Sequence, residues 1–221
     1  MGWAVLFDLD GTLVDTLDDI ACAMEEVLRE LGLPSHPKES YRQMVGNGAR
    51  ELVRRALPTN AHHLLEKGLA MFKARYRQVL TVHSRPYPGI LPLLSELHAR
   101  GVRLGVLTNK PHEAAVAILN ALFPPHLFQA IQGHIDGLPP KPHPQGALCL
   151  LQELKASTER ACIVGDSPID VHTAKHAGTR AIGVSWGFRP RSELEEAGAD
   201  CIASKPSDVL VLLHAMGFPL S

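Results

Sequence analysis

The chain has 221 residues, a length between one domain and two. It is 45% hydrophobic and 20% charged, ordinary globular proportions that argue against disorder, collagen or coiled coil. Its 22 basic and 23 acidic side chains leave a formal charge of -1, so the basic excess of a nucleic-acid or anionic-membrane binder is missing.

Taken in chain order, Ala4-Val5-Leu6-Phe7-Asp8-Leu9 reads as a short buried strand, which Asp10-Gly11-Thr12 ends. This start has no basic region and reaches an acid by residue 8, so no signal peptide is expected. Val14, Leu17, Ile20, Met24, Val27 and Leu31 then recur at helical spacing. Thr16 is the expected N-cap, Asp18 and Asp19 suit the positive helix start, and Gly32 and Pro34 stop the helix. Further helices are expected near 38–45, 48–57 and 61–80, with no strand between Asp15 and Val82.

At Pro86-Tyr87-Pro88-Gly89 the pattern changes to alternating helix and strand. Helices are expected at 89–100, 112–122, 144–155, 169–177, 192–197 and 206–216. Strands are expected at 102–107, 130–134, 161–165, 180–185 and 200–203. Short apolar strands separated by helices imply an α/β fold, a Rossmann-like parallel sheet covered on both faces. The first strand ends near Leu9 and the next begins near Val102, whereas a βαβ unit needs only about 30 residues. The surplus is all helical. The predicted division is therefore a core of 1–14 and 83–221 and an inserted helical cap of 15–82, hinged near Leu13–Thr16 and Val82–Pro88.

Ala114–Ile135 carries no charged side chain, but Asn120, Pro124-Pro125, Gln129 and Gly133 interrupt it, so it is not a membrane span. Cys22, Cys149, Cys162 and Cys201 form no CxxC and are expected to be free, mostly buried thiols in a reducing cytoplasm. The twelve histidines show no zinc spacing.

Polar groups gather where strands end, the edge at which open α/β sheets bind ligands. Asp8 and Asp10 follow the first strand, Thr108 and Asn109 the second, Lys141 the third and Asp166 the fourth, with Asp170 one helical turn on. Clustered carboxylates make a hard oxygen site suited to Mg²⁺. Lys141, Thr108 and the backbone N–H groups of Asp10-Gly11-Thr12 and Thr108-Asn109-Lys110 could cradle an anion such as phosphate. One aspartate can serve as nucleophile and another as proton shuttle. Gly46-Asn47-Gly48-Ala49-Arg50 lies between two helices of the insertion and has two readings: a capped helix–helix turn, or a turn whose N–H groups and Arg50 bind the non-phosphate end of a substrate. Arg54, Arg55, Arg75 and Arg77 read as solvated helix-face charges, and Trp186 as packing.

Asp8-Leu9-Asp10-Gly11-Thr12-Leu13-Val14-Asp15-Thr16 resembles the first motif of the haloacid dehalogenase superfamily. Leu107-Thr108-Asn109, Lys141-Pro142 and Gly165-Asp166-Ser167-Pro168-Ile169-Asp170 resemble its other three, in order and spacing. Val45–Arg50 and Ser185–Arg189 look most like the phosphoglycolate phosphatase group. The resemblance implies that Asp8 attacks phosphorus and that Asp10 is the acid and base. It implies Mg²⁺ held by Asp8, Asp166 and the carbonyl of Asp10, with Thr108, Asn109 N–H and Lys141 on the phosphoryl oxygens, supported by Asp170, Gly11 and Thr12. The expected activity is hydrolysis of a small phosphorylated metabolite, 2-phosphoglycolate, by a cytoplasmic monomer or homodimer without nucleic-acid or membrane partners. The alternatives are a sugar phosphomutase of the β-phosphoglucomutase kind, which shares these motifs, or a phosphatase of another small phosphate ester or pyrophosphate. A phospho-receiver module would lack the insertion, and an inactive scaffold would lack a motif residue.

Overall fold

The computed structural model describes residues 2–218. Its core is a six-stranded, wholly parallel sheet. In spatial order the strands are β5 (Ala130–His134), β4 (Arg103–Pro111), β1 (Gly2–Phe7), β6 (Ala156–Gly165), β7 (Arg180–Val184) and β8 (Cys201–Ala203). Strand alternation separates the two faces. Val5 and Phe7 of β1 join the cluster under helices α5 (Ile90–Ala99), α6 (His112–Leu122) and α10 (Pro206–Ala215). Ala4 and Leu6 join the opposite cluster, under α7 (Gln145–Glu153), α8 (Pro168–Ala177) and α9 (Arg191–Glu196). Both faces are therefore covered, as the continuous apolar run of β1 requires.

Four helices, α1 (Leu17–Glu30), α2 (Tyr41–Met44), α3 (Ala49–Ala56) and α4 (Leu65–Val79), lie between β1 and the rest of the core. They enclose a third apolar cluster that includes Met24, Leu28, Tyr41, Val53 and Phe72. The chain enters this layer through β2 (Val14–Asp15) and leaves it through β3 (Arg85–Pro86), which pair antiparallel as a two-residue ribbon. No strand was expected inside the insertion; the ribbon lies at its two ends and is too short to show a strand pattern.

Three local differences from the sequence reading follow from polar residues. The strand expected at 102–107 continues to Pro111, because Thr108, Asn109 and Lys110 stay extended beyond the sheet edge and Pro111 pairs with His134 after a register shift. The strand expected from 161 begins at Ala156, with a register break between the partners of Gly2 and Ala4. Thr16 does sit before α1, but its hydroxyl makes no cap bond and donates instead to Asp10 Oδ1 at 2.7 Å. Asp15 Oδ1 accepts the N–H of Leu17.

Asp19, expected as a helix-start charge, is fully buried. It accepts the N–H groups of His83 and Ser84 and the hydroxyl of Ser84, tying α1 to the returning linker. The cysteines are free, but only Cys162 is buried; Cys22 and Cys149 face solvent on the outer sides of α1 and α7, and Cys201 is partly covered.

Candidate active site

Asp8 leaves β1 with its N–H still bonded to Val164 O, so the sheet fixes its position. The chain then turns tightly: the N–H groups of Leu13 and Val14 both donate to Leu9 O, at 3.0 Å. Gly11 has φ +86° in this turn, and a Cβ there would overlap the Asp166 carboxylate. A Cβ at Gly165 would likewise overlap Asp170. Glycine at these positions is what lets the acids approach the loop.

Lys141 is the centre of the buried charge. Its Nζ donates to Asp8 Oδ1 at 2.8 Å, Asp170 Oδ1 at 2.6 Å and Leu107 O at 2.9 Å. Asp170 is also the N3 residue of a capping box on α8, accepting from Ser167 N and Oγ. Asp166 accepts the N–H of Phe188 at 2.6 Å and, more weakly, the Thr12 hydroxyl at 3.4 Å. Asn109 clamps two loops: its Nδ2 donates to Lys141 O and Gly46 O, each at 3.0 Å, while Oδ1 accepts Lys141 N at 2.8 Å.

Carboxylate oxygens of Asp8, Asp166 and Asp170 lie within 4.8 Å of one another, the one such acidic group among the described residues. Burial, and then the Asp170 and Asp10 charges, raise Asp8 to about 6 against the pull of Lys141. Burial, with the charges of Asp8 and Asp170, pushes Asp166 well above the usual carboxylate range. Three buried carboxylates facing one ammonium leave an excess of negative charge, and hard oxygens in that excess fit a divalent cation. The sequence expectation gave Asp10 to the metal through its backbone carbonyl, alongside Asp8 and Asp166. The Asp10 carboxylate points to Thr16 and to Lys110, whose Nζ lies at 2.7 Å, so the third side chain of the acidic group is Asp170.

A cavity of about 1020 Å³ opens over this edge. Asp8, Asp10, Thr108, Asn109, Lys141 and Asp166 line its floor, and Gly46, Asn47, Gly48 and Arg50 line it from the helical layer. The turn thus faces the acids. Arg50 is exposed and pairs with Glu66 at 2.5 Å. Arg55, read as solvated, is half-buried and braces the turn through Gln43 O, Met44 O and Asn47 Oδ1. Arg189 reaches from the β7–α9 loop to Gln43 O and Val45 O. Trp186 packs and donates Nε1–H to Thr12 O, as its packing role anticipated.

Lys110 is the main residue the sequence reading passed over, since only its backbone was considered. The available signal is a lysine directly after Asn109 at a strand end, the edge at which Asp8, Lys141 and Asp166 are found.

A family model of haloacid dehalogenase-like hydrolases matches residues 5–184. The chain belongs to the haloacid dehalogenase-like hydrolase family. It is 34% identical to a phosphoglycolate phosphatase of Aquifex aeolicus over 95% of each chain. It is 39% identical to one of Pseudomonas putida, over 96% of this chain and 77% of the relative. Among solved structures, a predicted phosphoglycolate phosphatase from Haemophilus somnus superposes with TM-score 0.87 at 29% identity, covering 96% and 97% of the two chains. CbbY from Rhodobacter sphaeroides, solved with phosphate, superposes with TM-score 0.79 at 28% identity over 95% and 96%. Within the haloacid dehalogenase-like hydrolases the chain falls in the phosphoglycolate phosphatase-like group, and it is a phosphatase.

Proposed function

We propose that the protein hydrolyses 2-phosphoglycolate, in the cytoplasm, through a phosphoenzyme on Asp8 and with Mg²⁺. The observation that carries this reading is the buried Asp8, held by Lys141 beside two further carboxylates on the floor of the cavity. The names of the relatives support the substrate.

Asp8 is pinned at Oδ1 and would use its other oxygen to attack phosphorus in line. The bond from phosphorus to the leaving oxygen breaks as the Asp8–phosphorus bond forms. Asp10, two residues on, in its acid form gives its proton to that oxygen. As carboxylate it then takes a proton from water, whose oxygen attacks phosphorus. The Asp8–phosphorus bond breaks, and inorganic phosphate leaves. Lys141, Thr108 and the Asn109 N–H would hold the phosphoryl oxygens, where alignment and charge neutralisation govern the rate. Asp8, Asp166 and the Asp10 carbonyl would hold Mg²⁺, which supplies positive charge against the anionic substrate. Asp170 would keep Lys141 oriented, with Gly11 and Thr12 shaping the loop. Residues 15–82 would act as a cap that excludes water, hinged at the β2–β3 ribbon, with Gly46, Asn47, Gly48 and Arg50 facing the substrate carboxylate.

The test is a panel of phosphate esters, assayed for kcat/KM with Mg²⁺ and with EDTA. 2-Phosphoglycolate should lead the panel, EDTA should stop release of phosphate, and Asp8→Asn should abolish it in a folded protein. Isomerisation of a sugar phosphate through a bisphosphate would instead mark a mutase, and near-normal turnover by Asp8→Asn would remove the nucleophile.

A further inference from the structure

Two ammonium groups are buried at the sheet edge, and the reaction above uses only Lys141. The other, Lys110, is 6% exposed. Its Nζ donates to both oxygens of Asp10, at 2.7 Å to Oδ1 and 3.0 Å to Oδ2. The same Nζ lies 4.6 Å from the ring centroid of Tyr76 on α4. Tyr76 is itself buried, and its ring lies against the ammonium. Asp10 Oδ1 also accepts the Thr16 hydroxyl.

An ammonium has three donor hydrogens. Two oxygens of one carboxylate and an aromatic face surround this one, a set that satisfies it without any other ligand. A cation meant to grip the substrate would keep a donor turned to the cavity. The arrangement leaves both Asp10 oxygens held from one side. The Asp10 side chain is only 12% exposed and that of Lys110 only 3%, so removing either partner leaves the other poorly solvated.

We propose that Lys110 is a positioning residue for Asp10. It holds both oxygens of the carboxylate and so fixes Asp10 in one orientation, away from the Asp8 cluster. Tyr76 backs the ammonium from the helical layer, so the acid–base group is held from both layers at once. The proposal rests on the assignment of Asp10 as acid and base.

The test is leaving-group dependence. With Mg²⁺ present, kcat/KM is measured for p-nitrophenyl phosphate, whose leaving group needs no proton, and for alkyl phosphates including 2-phosphoglycolate. General acid assistance contributes about 10²-fold or more. Lys110→Met should therefore lower kcat/KM about 100-fold on alkyl esters and less than about fivefold on the aryl ester. Tyr76→Leu, which keeps the ammonium but removes its backing, should move both substrates in the same direction by a smaller factor. In an Asp10→Asn background Lys110→Met should add no further leaving-group effect. Equal losses on both esters in Lys110→Met, or an additional alkyl-specific loss in the Asp10→Asn background, would overturn the proposal. So would a rise in KM alone, which is the mark of a substrate-binding cation. Circular dichroism of each variant separates these outcomes from misfolding, and Tyr76→Leu supplies the test if Lys110→Met does not fold. Activity surviving in Asp8→Asn would count against the phosphatase mechanism itself, a result separate from any of these.

Discussion

The acidic cluster makes the metal-free protein sensitive to pH in a direction opposite to ordinary acid denaturation. Asp8 is raised by burial and by neighbouring charges from 3.8 to about 6. A carboxyl group with a raised folded-state value binds its proton more tightly in the folded chain than in the unfolded one. Stability is thus highest below the unfolded value and falls as pH climbs through the window from about 4 to 6. At 1.36 kcal/mol per pH unit of displacement, Asp8 alone removes about 3 kcal/mol by neutral pH. For a chain of this size that is about 6–12 °C in Tm. Asp8→Asn cannot ionise, so in EDTA it should melt higher than wild type at pH 7.5 by about that margin, the gap narrowing to near zero by pH 4. The substitution also removes one of the charges that raise Asp166, which acts in the same direction. Thermal unfolding by circular dichroism from pH 4 to 8 measures the gap. Adding Mg²⁺ to wild type should recover stability at pH 7.5 and do little at pH 4.5, where the ligands are protonated. Parallel pH profiles for wild type and Asp8→Asn in EDTA would refute the reasoning.

Asp19→Ala should destabilise the fold by about 2–4 kcal/mol, because two buried donors on Ser84 and the part-buried N–H of His83 lose their acceptor; a change in thermal unfolding below about 0.5 kcal/mol would show the linker does not depend on it. Gly11→Ala places a methyl on the Asp166 carboxylate at a backbone angle that suits glycine, so Mg²⁺ should bind at least about tenfold more weakly; an unchanged Mg²⁺ activation curve contradicts this. Arg50→Ala should raise KM for 2-phosphoglycolate more than for p-nitrophenyl phosphate, as expected if the guanidinium leaves Glu66 for a substrate carboxylate. Equal effects on the two esters would leave Arg50 as a surface ion pair.

The sheet was legible because β1 needs apolar residues on both faces and has them, and because each strand of the core is separated from the next by a helix. The same logic identified the motif residues: Asp8, Thr108, Lys141 and Asp166 are polar where buried strands stop, and the cavity floor brings them together. Periodicity was silent wherever polarity and structure part company. The continuation of β4 through Asn109 and Lys110 carries no apolar alternation, and Pro111 reads as an ending. Cys22 lies between buried Ala21 and Ala23, and only the helix register decides that its thiol faces out. Asp19 reads as a helix-start acid until the returning linker, 64 residues later, brings its donors. Thr16 has the side chain of an N-cap, yet a carboxylate six residues back is the better acceptor. In each case the deciding partner is remote in sequence, and hydrogen-bond partners, unlike apolar faces, leave no period.

The two lysines explain how Asp8 and Asp10, two residues apart and identical in chemistry, can serve different purposes. Lys141 arrives from the loop after β5 and takes Asp8 into a buried group with Asp170, bonded also to Leu107 O. Lys110 arrives from the extended end of β4 and takes Asp10 the other way, toward Thr16 and Tyr76. The Asp8 pair is built wholly from the sheet and its edge loops and does not require the helical layer. The Asp10 pair draws two of its contacts, Thr16 and Tyr76, from that layer. On the mechanism proposed above, a nucleophile fixed by the core and an acid–base group completed by the inserted helices would make closure of the cavity and placement of Asp10 one event. Water reaching an open site would then meet Asp8 without its partner in position, and wasteful hydrolysis of a phosphorylated Asp8 would be slow until the helices are seated.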